Sequence, residues 1–479
     1  MSEHIGLMIP GREAPAGQLT VTSPFDGRVL ATLDQAGVSD VDAAMTLAYE
    51  TFRHKRHWLE PSERLSILER AAEIMRGRKD ELALTAAAEG GKPLPDSMVE
   101  VNRAIESVMA CVETARHETG DVIPMNLNAA SKQHVAMTTR EPIGVVVAVS
   151  AFNHPLNLIA HQVAPAVAVG CPVIVKPADD TPISCVRFVE ILREAGLPDA
   201  WCQVVIADGL ETAEALVVDP RVAFFSFIGS AKVGWMLRSK LSPGTRCALE
   251  HGGAAPAIVA ADANLDSTLP SVLKGGFYHA GQVCVSVQRL FVQQSIAEDV
   301  ARRLADEAEK LVVGAPENSD TEVGPLIRPA EVTRVHQWVE QAKESGGVAL
   351  TGGEVMENNC YRPTVLFNPS MAAKVSQMEI FGPVVCVYPY KDLDEVFEQA
   401  NSLDYAFQAA VYTQDIDYAM SCYRGLDASA VMVNQHTAFR VDWMPFAGLN
   451  QSGLGVGGIR YTMHDMQIEK MLVLRSPSL

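Results

Sequence analysis

A thiol, a carboxylate and a carboxamide stand in this sequence where covalent chemistry on a carbonyl carbon could be done. Cys284 lies in Gly-Phe-Tyr-His-Ala-Gly-Gln-Val-Cys-Val-Ser-Val-Gln-Arg, after a helical pattern over 266–281 that Gly281 breaks and before a β-rich run. Such a chain reversal exposes a side chain in a cleft, where a thiolate is a nucleophile; an isolated cysteine is otherwise a small buried hydrophobe. Glu250, in Leu-Glu-His-Gly-Gly, ends a predicted strand and precedes two glycines that admit close neighbours. A carboxylate at that mouth is a general base if burial lifts its pKa, or else caps the next helix. Asn153 ends another predicted strand in Phe-Asn-His-Pro. Its amide N–H suits a developing alkoxide, and a turn-forming Asn before Pro is the alternative.

Phosphate chemistry is suggested nearby. Lys176-Pro177 closes the run PVIVKP, and FIGSAKVG carries Gly229 and Ser230 from a strand into a helix. Backbone N–H groups at such a helix N-terminus suit a pyrophosphate. The Gly-x-Gly-x-Gly-Gly string at 453–458 has neither a strand before it nor a clear helix after it, so it is set aside as a dinucleotide loop.

The elements that must position these groups follow from texture. Residues 40–115 alternate apolar and charged positions at helical spacing and predict a helical N-terminal layer, with Ser39 and Ser62 as N-caps and the Gly-Gly-Lys-Pro run at 90–93 as a stop. From 143 to 250, VVVAVS (145–150), PVIVKP (172–177), WCQVVI (201–206) and VAFFSFI (222–228) read as strands. The stretches 157–169, 183–195, 210–217 and 231–240 between them read as crossover helices, which predicts a parallel, doubly wound α/β sheet. The pattern restarts after 250 with strands at 256–260 and 289–293, helices at 266–281 and 296–311, and strands near 384–388 and 430–433, predicting a second α/β unit. KQHVAMTT (132–139) and QIEKMLVLR (467–475) read as strands able to extend a sheet away from the main bodies.

Composition narrows the classes. A chain of 479 residues with 48% hydrophobic and 20% charged residues has material for several folded units. The net charge of −19 disfavours nucleic acid and anionic membrane surfaces. The start lacks a basic segment followed by an apolar one and the longest apolar stretch is far short of a membrane span, so a cytoplasmic location is expected. Nine scattered cysteines without a CxxC pair suggest neither a disulfide framework nor a metal site.

Together the strings resemble the aldehyde dehydrogenase superfamily over nearly the whole chain. The matching pieces come in family order: EGGKP (89–93), EPIGVVVAVSAFNHPLNL (141–158), VKPADDTP (175–182), FIGSAKVG (227–234), LEHGG (249–253), GQVC (281–284), EIFGPV (379–384) and MPFAGLNQSGLG (444–455). The resemblance implies two doubly wound Rossmann-like domains with a small β-strand oligomerisation extension. Residues 1–119 and 140–250 would bind dinucleotide, 251–459 would carry catalysis, and 120–139 with 460–479 would assemble a homodimer or homotetramer. It implies Cys284 as the nucleophile, Asn153 and the Cys284 N–H as oxyanion donors, and Glu250 as the base that hydrolyses the thioester. Lys176 and Asp179 match positions near the adenine-side ribose, Ser230 (with Gly229) a pyrophosphate contact, and Glu379 and Phe381 the nicotinamide-ribose contacts. NAD is the implied cofactor. Asp179 replaces a more usual Glu, and its shorter reach leaves room for NADP. Other departures are His251 and Ala254 within the LEHGGA string, and Ala447 and Asn450 in the later glycine-rich string.

The string NQHTAFRVDWMPF resembles the lactaldehyde and semialdehyde branches of that superfamily. Two or more of Arg103, His154 and Arg440 are expected to line the aldehyde tunnel and favour a small polar or anionic aldehyde, unless the arginines pair with structural carboxylates. Three other readings compete. A CoA-acylating dehydrogenase would do without the base Glu250. A hydrolase would use Cys284 with His279 as base. A non-catalytic dinucleotide-binding or structural protein would keep the fold alone.

Overall fold

A computed structural model describes residues 3–478; positions 1, 2 and 479, which the expected domain boundaries include, lie outside the described residues. The first α/β unit is a six-stranded sheet ordered Gly453–Leu454, Arg246–Glu250, Val222–Ile228, Val145–Val149, Val173–Lys176, Cys202–Val204, parallel except for its first short member. The chain starts in the middle strand, steps outward through 173–176 and 202–204, then crosses back to 222–228. Its direction of winding therefore reverses between Val145–Val149 and Val222–Ile228. At such a reversal the following loops diverge and leave a crevice beyond the strand ends. Those loops carry Asn153 and Gly229-Ser230.

The expected crossover helices are present as Asn157–Val169, Ile183–Glu194, Leu210–Val218 and Ala231–Arg238. The second unit is a seven-stranded sheet ordered Val348–Thr351, Thr364–Phe367, Val384–Tyr390, Val287–Gln293, Ala255–Val259, Gln408–Tyr412, Ala430–Val433, with only the first strand antiparallel. Each sheet buries its own apolar core between flanking helices. The architecture is thus two doubly wound α/β units, as expected. The segment His134–Pro142 pairs antiparallel with Gln467–Arg475 along nine residue pairs, forming a three-stranded sheet with Val122–Ile123.

The N-terminal layer consists of the helices Val38–Arg53, Pro61–Gly77, Lys79–Gly90 and Leu94–His117. Ser39 and Ser62 are not its N-caps. The first two helices begin one or two residues earlier, and acids of the first turn close them: Asp40 accepts the Gly37 N–H at 2.9 Å and Glu63 the Glu60 N–H at 2.8 Å. Gly91 ends the third helix with φ +72°, a left-handed stop that glycine adopts freely. Before this layer, Glu3–Ile5, Gly17–Thr22 and Val29–Gln35 form a small sheet that composition did not single out.

Two carboxylates from the layer reach the crossover helices. Glu89 accepts the N–H groups of Ile183 and Ser184 at 2.7 and 2.8 Å, and Glu100 those of Leu156 and Asn157 at 2.9 and 3.0 Å. First-turn N–H groups have no partner within their own helix, and negative charge is favourable at that end. The EGGKP string thereby acquires a structural meaning: Glu89 closes one helix, and Lys92 forms a buried ion pair with Glu100, which closes another.

Candidate active site

The helix leading to Cys284 ends earlier than periodicity predicts, at Phe277. His279 and Ala280 then take left-handed backbone angles (φ +47° and +53°), followed by Gly281 at +68°. For residues with a side chain this conformation costs about 1–2 kcal/mol each. The turn throws Cys284 out of the helix direction and into the cleft between the two sheets. Gln282 holds it there: its side-chain oxygen accepts the Ile327 N–H at 3.0 Å, and its side-chain amide donates to the Pro325 carbonyl at 3.2 Å.

Asn153 crosses the cleft. Its Nδ2 donates to the Gln282 carbonyl at 2.9 Å, so the loop after the Val145–Val149 strand is tied to the Cys284 loop. An amide nitrogen carries two hydrogens, so a second donor remains beside the thiol loop.

Glu250 stands at the end of its strand, where the register pairs it with Ile228 on one side and Gly453 on the other. A Cβ on Gly457 would collide with its carboxylate. The glycine-rich string at 453–458 is therefore a slot for Glu250, and a helix, Ile459–Asp465, does follow it. Glu379 lies on the opposite wall, its Oε1 accepting the Gly253 N–H at 3.2 Å, in a space that a Cβ on Gly252 would fill. Gln288 fixes this wall by accepting the Ile380 N–H at 2.9 Å and donating to the Met378 carbonyl at 2.7 Å. Phe381, at φ +47°, sets its ring edge-on to Phe152 at 5.8 Å.

Charge in the cleft follows from burial. Burial pushes the Cys284 thiol up to about 12, the Glu379 and Glu250 carboxylates push the same way, and Arg440 opposes them. Burial raises Glu379 to about 8 and also raises Glu250, against the pull of Arg440. Glu379, which holds its proton near neutrality, can exchange one with water in the cleft.

Arg103 and Arg440 behave differently. Arg103 makes a two-pronged pair with Asp442, a buried acid that also accepts from His161 at 2.7 Å and from the Asn157 amide at 3.3 Å. Arg440 approaches Asp442 only to 3.8 Å, stacks its guanidinium 3.6 Å from the Phe446 ring centre, and makes no side-chain hydrogen bond among the described residues. His154 is buried, 3.3 Å from the Tyr278 hydroxyl. Asp442, Gln282 and Gln288 were not singled out from the sequence. Asp442 stands two residues after Arg440, and that spacing was the available signal.

On the crevice side, Lys176 pairs with Asp179 at 2.8 Å, and Ser230 is the exposed residue before the helix Ala231–Arg238. Gly229 must lack a side chain, because a Cβ there would meet the Phe227 ring at 2.8 Å. A narrow strand-to-helix loop with free first-turn N–H groups, beside an ion pair able to meet a ribose, fits a dinucleotide. Among the described residues no group of three or more His, Cys, Asp or Glu could hold a metal ion.

The aldehyde dehydrogenase family model matches residues 12–472. A 3-sulfolactaldehyde dehydrogenase from Priestia aryabhattai is 36% identical, covering 98% of both chains. Aldehyde dehydrogenase 21 from Physcomitrella patens, solved in complex with the reaction product succinate, is 33% identical with a TM-score of 0.95 and 99% coverage of each chain. A glyceraldehyde-3-phosphate dehydrogenase from Methanocaldococcus jannaschii complexed with NADP is 31% identical, covers 97% of this chain and 100% of its own, and has a TM-score of 0.91. A thiol, two half-buried carboxyls beside it and a glycine-bearing strand-to-helix loop thus coincide with a match over nearly the full length: the chain belongs to the aldehyde dehydrogenase family.

Proposed function

We propose that this enzyme oxidises a short aldehyde carrying an anionic group to its carboxylic acid, with NAD or NADP as hydride acceptor. The observation that carries the anionic preference is Arg440. A buried guanidinium beside Cys284 and Glu250, with no hydrogen-bonded partner of its own, is a receptor for an anion. The names of three similar proteins agree, since sulfolactaldehyde, succinate and glyceraldehyde 3-phosphate all carry acidic groups. Arg103, already committed to Asp442, supports the wall, and His154 with Tyr278 offers a polar edge.

The Cys284 thiol gives its proton to solvent, its sulfur adds to the aldehyde carbon, and the new alkoxide is held by the free Asn153 N–H and the Cys284 backbone N–H. Lys176 and Asp179 would hold the adenine-side ribose of a dinucleotide, Gly229 and Ser230 its pyrophosphate, and Glu379 and Phe381 its nicotinamide ribose, and the bound group would supply the hydride acceptor. Loss of hydride leaves a thioester on Cys284. Water then attacks it while Glu250 takes one water proton, the carbon–sulfur bond breaks to release the carboxylic acid and the thiolate, and the acid gives its remaining proton to solvent. Glu250 in its slot favours water over CoA as the acyl acceptor. The units containing 140–250 and 251–459 contribute cofactor binding and catalysis respectively.

The strand Gln467–Arg475 has a partner on one side only, and exposes Met471, Leu472, Val473 and Leu474. An unpaired apolar edge of this length is a template for another chain, which supports a homodimer or homotetramer. No helix among the described residues is long and apolar enough to cross a membrane.

Initial rates of dinucleotide reduction on matched neutral and anionic short aldehydes, with each cofactor, test the reading. The anionic members should have the higher kcat/KM and free acid should appear without CoA. A preference for long-chain or aromatic aldehydes would sink it.

A further inference from the structure

His251 follows Glu250 directly, and its ring is almost wholly buried beneath the phosphate-side loop. Nδ1 lies 3.0 Å from the Gly229 carbonyl oxygen. An oxygen of that kind only accepts, so Nδ1 carries the hydrogen and the imidazole is the Nδ1–H tautomer. Nε2 is buried and unpartnered, and the imidazole packs edge-on against the rings of Phe227 and Trp235, centre to centre 5.7 and 5.8 Å. Those apolar faces suit a bare lone pair, and burial holds the ring below its ordinary pKa, in its neutral form. Space for the imidazole exists because residue 234 is glycine, where a Cβ would enter the ring.

The peptide on each side of Gly229 is consequently fixed. The Gly229 N–H donates to the Glu250 carbonyl at 3.0 Å, and the Gly229 C=O receives the His251 Nδ1–H. In a planar trans peptide the C=O and the following N–H point to opposite sides. With the carbonyl held inward, the Ser230 N–H points outward, into the mouth of the crevice. The Ser230 hydroxyl makes no capping bond to its own helix.

We infer that His251 is a positioning residue for the dinucleotide pyrophosphate: its Nδ1–H holds the Gly229 carbonyl inward and so presents the Ser230 N–H and hydroxyl to the phosphate oxygens. The inference rests on the NAD(P)-dependent reading above. It also makes the two residues 250 and 251 a joint: one serves the cleft of Cys284, the next the cofactor loop.

Calorimetric titration of the full-length enzyme with ADP-ribose, which carries the pyrophosphate, and with adenosine, which does not, tests it without turnover. His251→Leu should weaken ADP-ribose about 5- to 30-fold, the loss of one aligned hydrogen bond, and leave adenosine unchanged. His251→Asn, whose Nδ2 can replace Nδ1, should recover most of the affinity. Nitrogen-15 shifts of the histidine-labelled wild-type enzyme should show His251 protonated at Nδ1 and bare at Nε2, a readout independent of any variant. Unchanged ADP-ribose affinity in His251→Leu, equal loss for both ligands, or the Nε2–H tautomer would overturn the inference while leaving the dehydrogenase reading intact. Failure of the wild-type enzyme to bind ADP-ribose would overturn both.

Discussion

Arg103 and Asp442 join the N-terminal helical layer to the wall of the catalytic cleft, with Nε to Oδ2 at 3.1 Å and Nη2 to Oδ1 at 2.7 Å. Asp442 is fully buried, and although burial alone would raise its pKa, His161 and Arg103 hold the carboxyl far below the usual range. Asp442→Ala leaves both partners without an acceptor and should destabilise the fold by about 3–5 kcal/mol, read as a shift in urea midpoint. The sign of its pH effect follows. A carboxyl with a depressed folded pKa stabilises at neutral pH, and that contribution declines as pH falls below its ordinary 3.8. The variant should therefore lose less stability on acidification than the wild type.

Arg440 predicts selectivity. Arg440→Ala should lower kcat/KM for anionic short aldehydes about 10- to 100-fold, the range for a charged hydrogen bond, and change neutral aldehydes less. The same substitution should slow alkylation of Cys284 by iodoacetamide, because Arg440 is the charge that opposes the two carboxylates around the thiol. Equal losses on both aldehyde classes would assign Arg440 to structure.

Glu250 and Cys284 separate kinetically. Cys284→Ser should abolish the first-turnover burst of reduced dinucleotide. Glu250→Gln should keep the burst and lower steady turnover by about 10²–10⁴, since only the hydrolytic half needs the base. Rapid mixing resolves the two phases; a lost burst in Glu250→Gln would move that residue to the first half-reaction.

Raised carboxyl pKa values act in the opposite sense to Asp442. Glu89 sits at about 7 and Glu379 at about 8, both lifted by burial from 4.5. Across that interval the folded state binds more protons than the unfolded chain, so stability falls as pH rises and levels off above the higher value. Glu379→Gln should flatten the part of the decline between pH 7 and 8 in urea titrations and, above pH 8 where the carboxyl is ionised, should speed Cys284 alkylation by removing a negative neighbour.

The doubly wound parts of the fold were legible because each crossover helix and buried strand carries its own local pattern. The stretch 157–169 has the same bounds in sequence and structure. The first sheet was not, because Gly17–Thr22 is mostly polar and half exposed, so neither periodicity nor an apolar run marks it. Helix starts were misplaced at Ser39 and Ser62 because the capping groups are acids inside the first turn. The site divides in the same way. Cys284, Glu250 and Asn153 follow from motif and strand ends; in the structure Asn153 is bonded to the Gln282 carbonyl next to the thiol loop and the Glu250 carboxyl bears on the thiol. Gln282 and Gln288 act through contacts with distant segments, which no local pattern encodes, and Asp442 left only its spacing from Arg440 as a mark.

The carboxylates of Glu89 and Glu100 have a consequence for how the chain is assembled. Each is synthesised well before the helix it closes, Ile183–Glu194 or Asn157–Val169. The helical layer thus emerges first as a scaffold with two carboxyl sockets, and each later helix docks by its amide end. A fragment beginning at the first strand of the parallel sheet would lack those sockets and leave four amide hydrogens unanswered. The sheet that frames the active site is accordingly inseparable from a layer that contributes no reacting group.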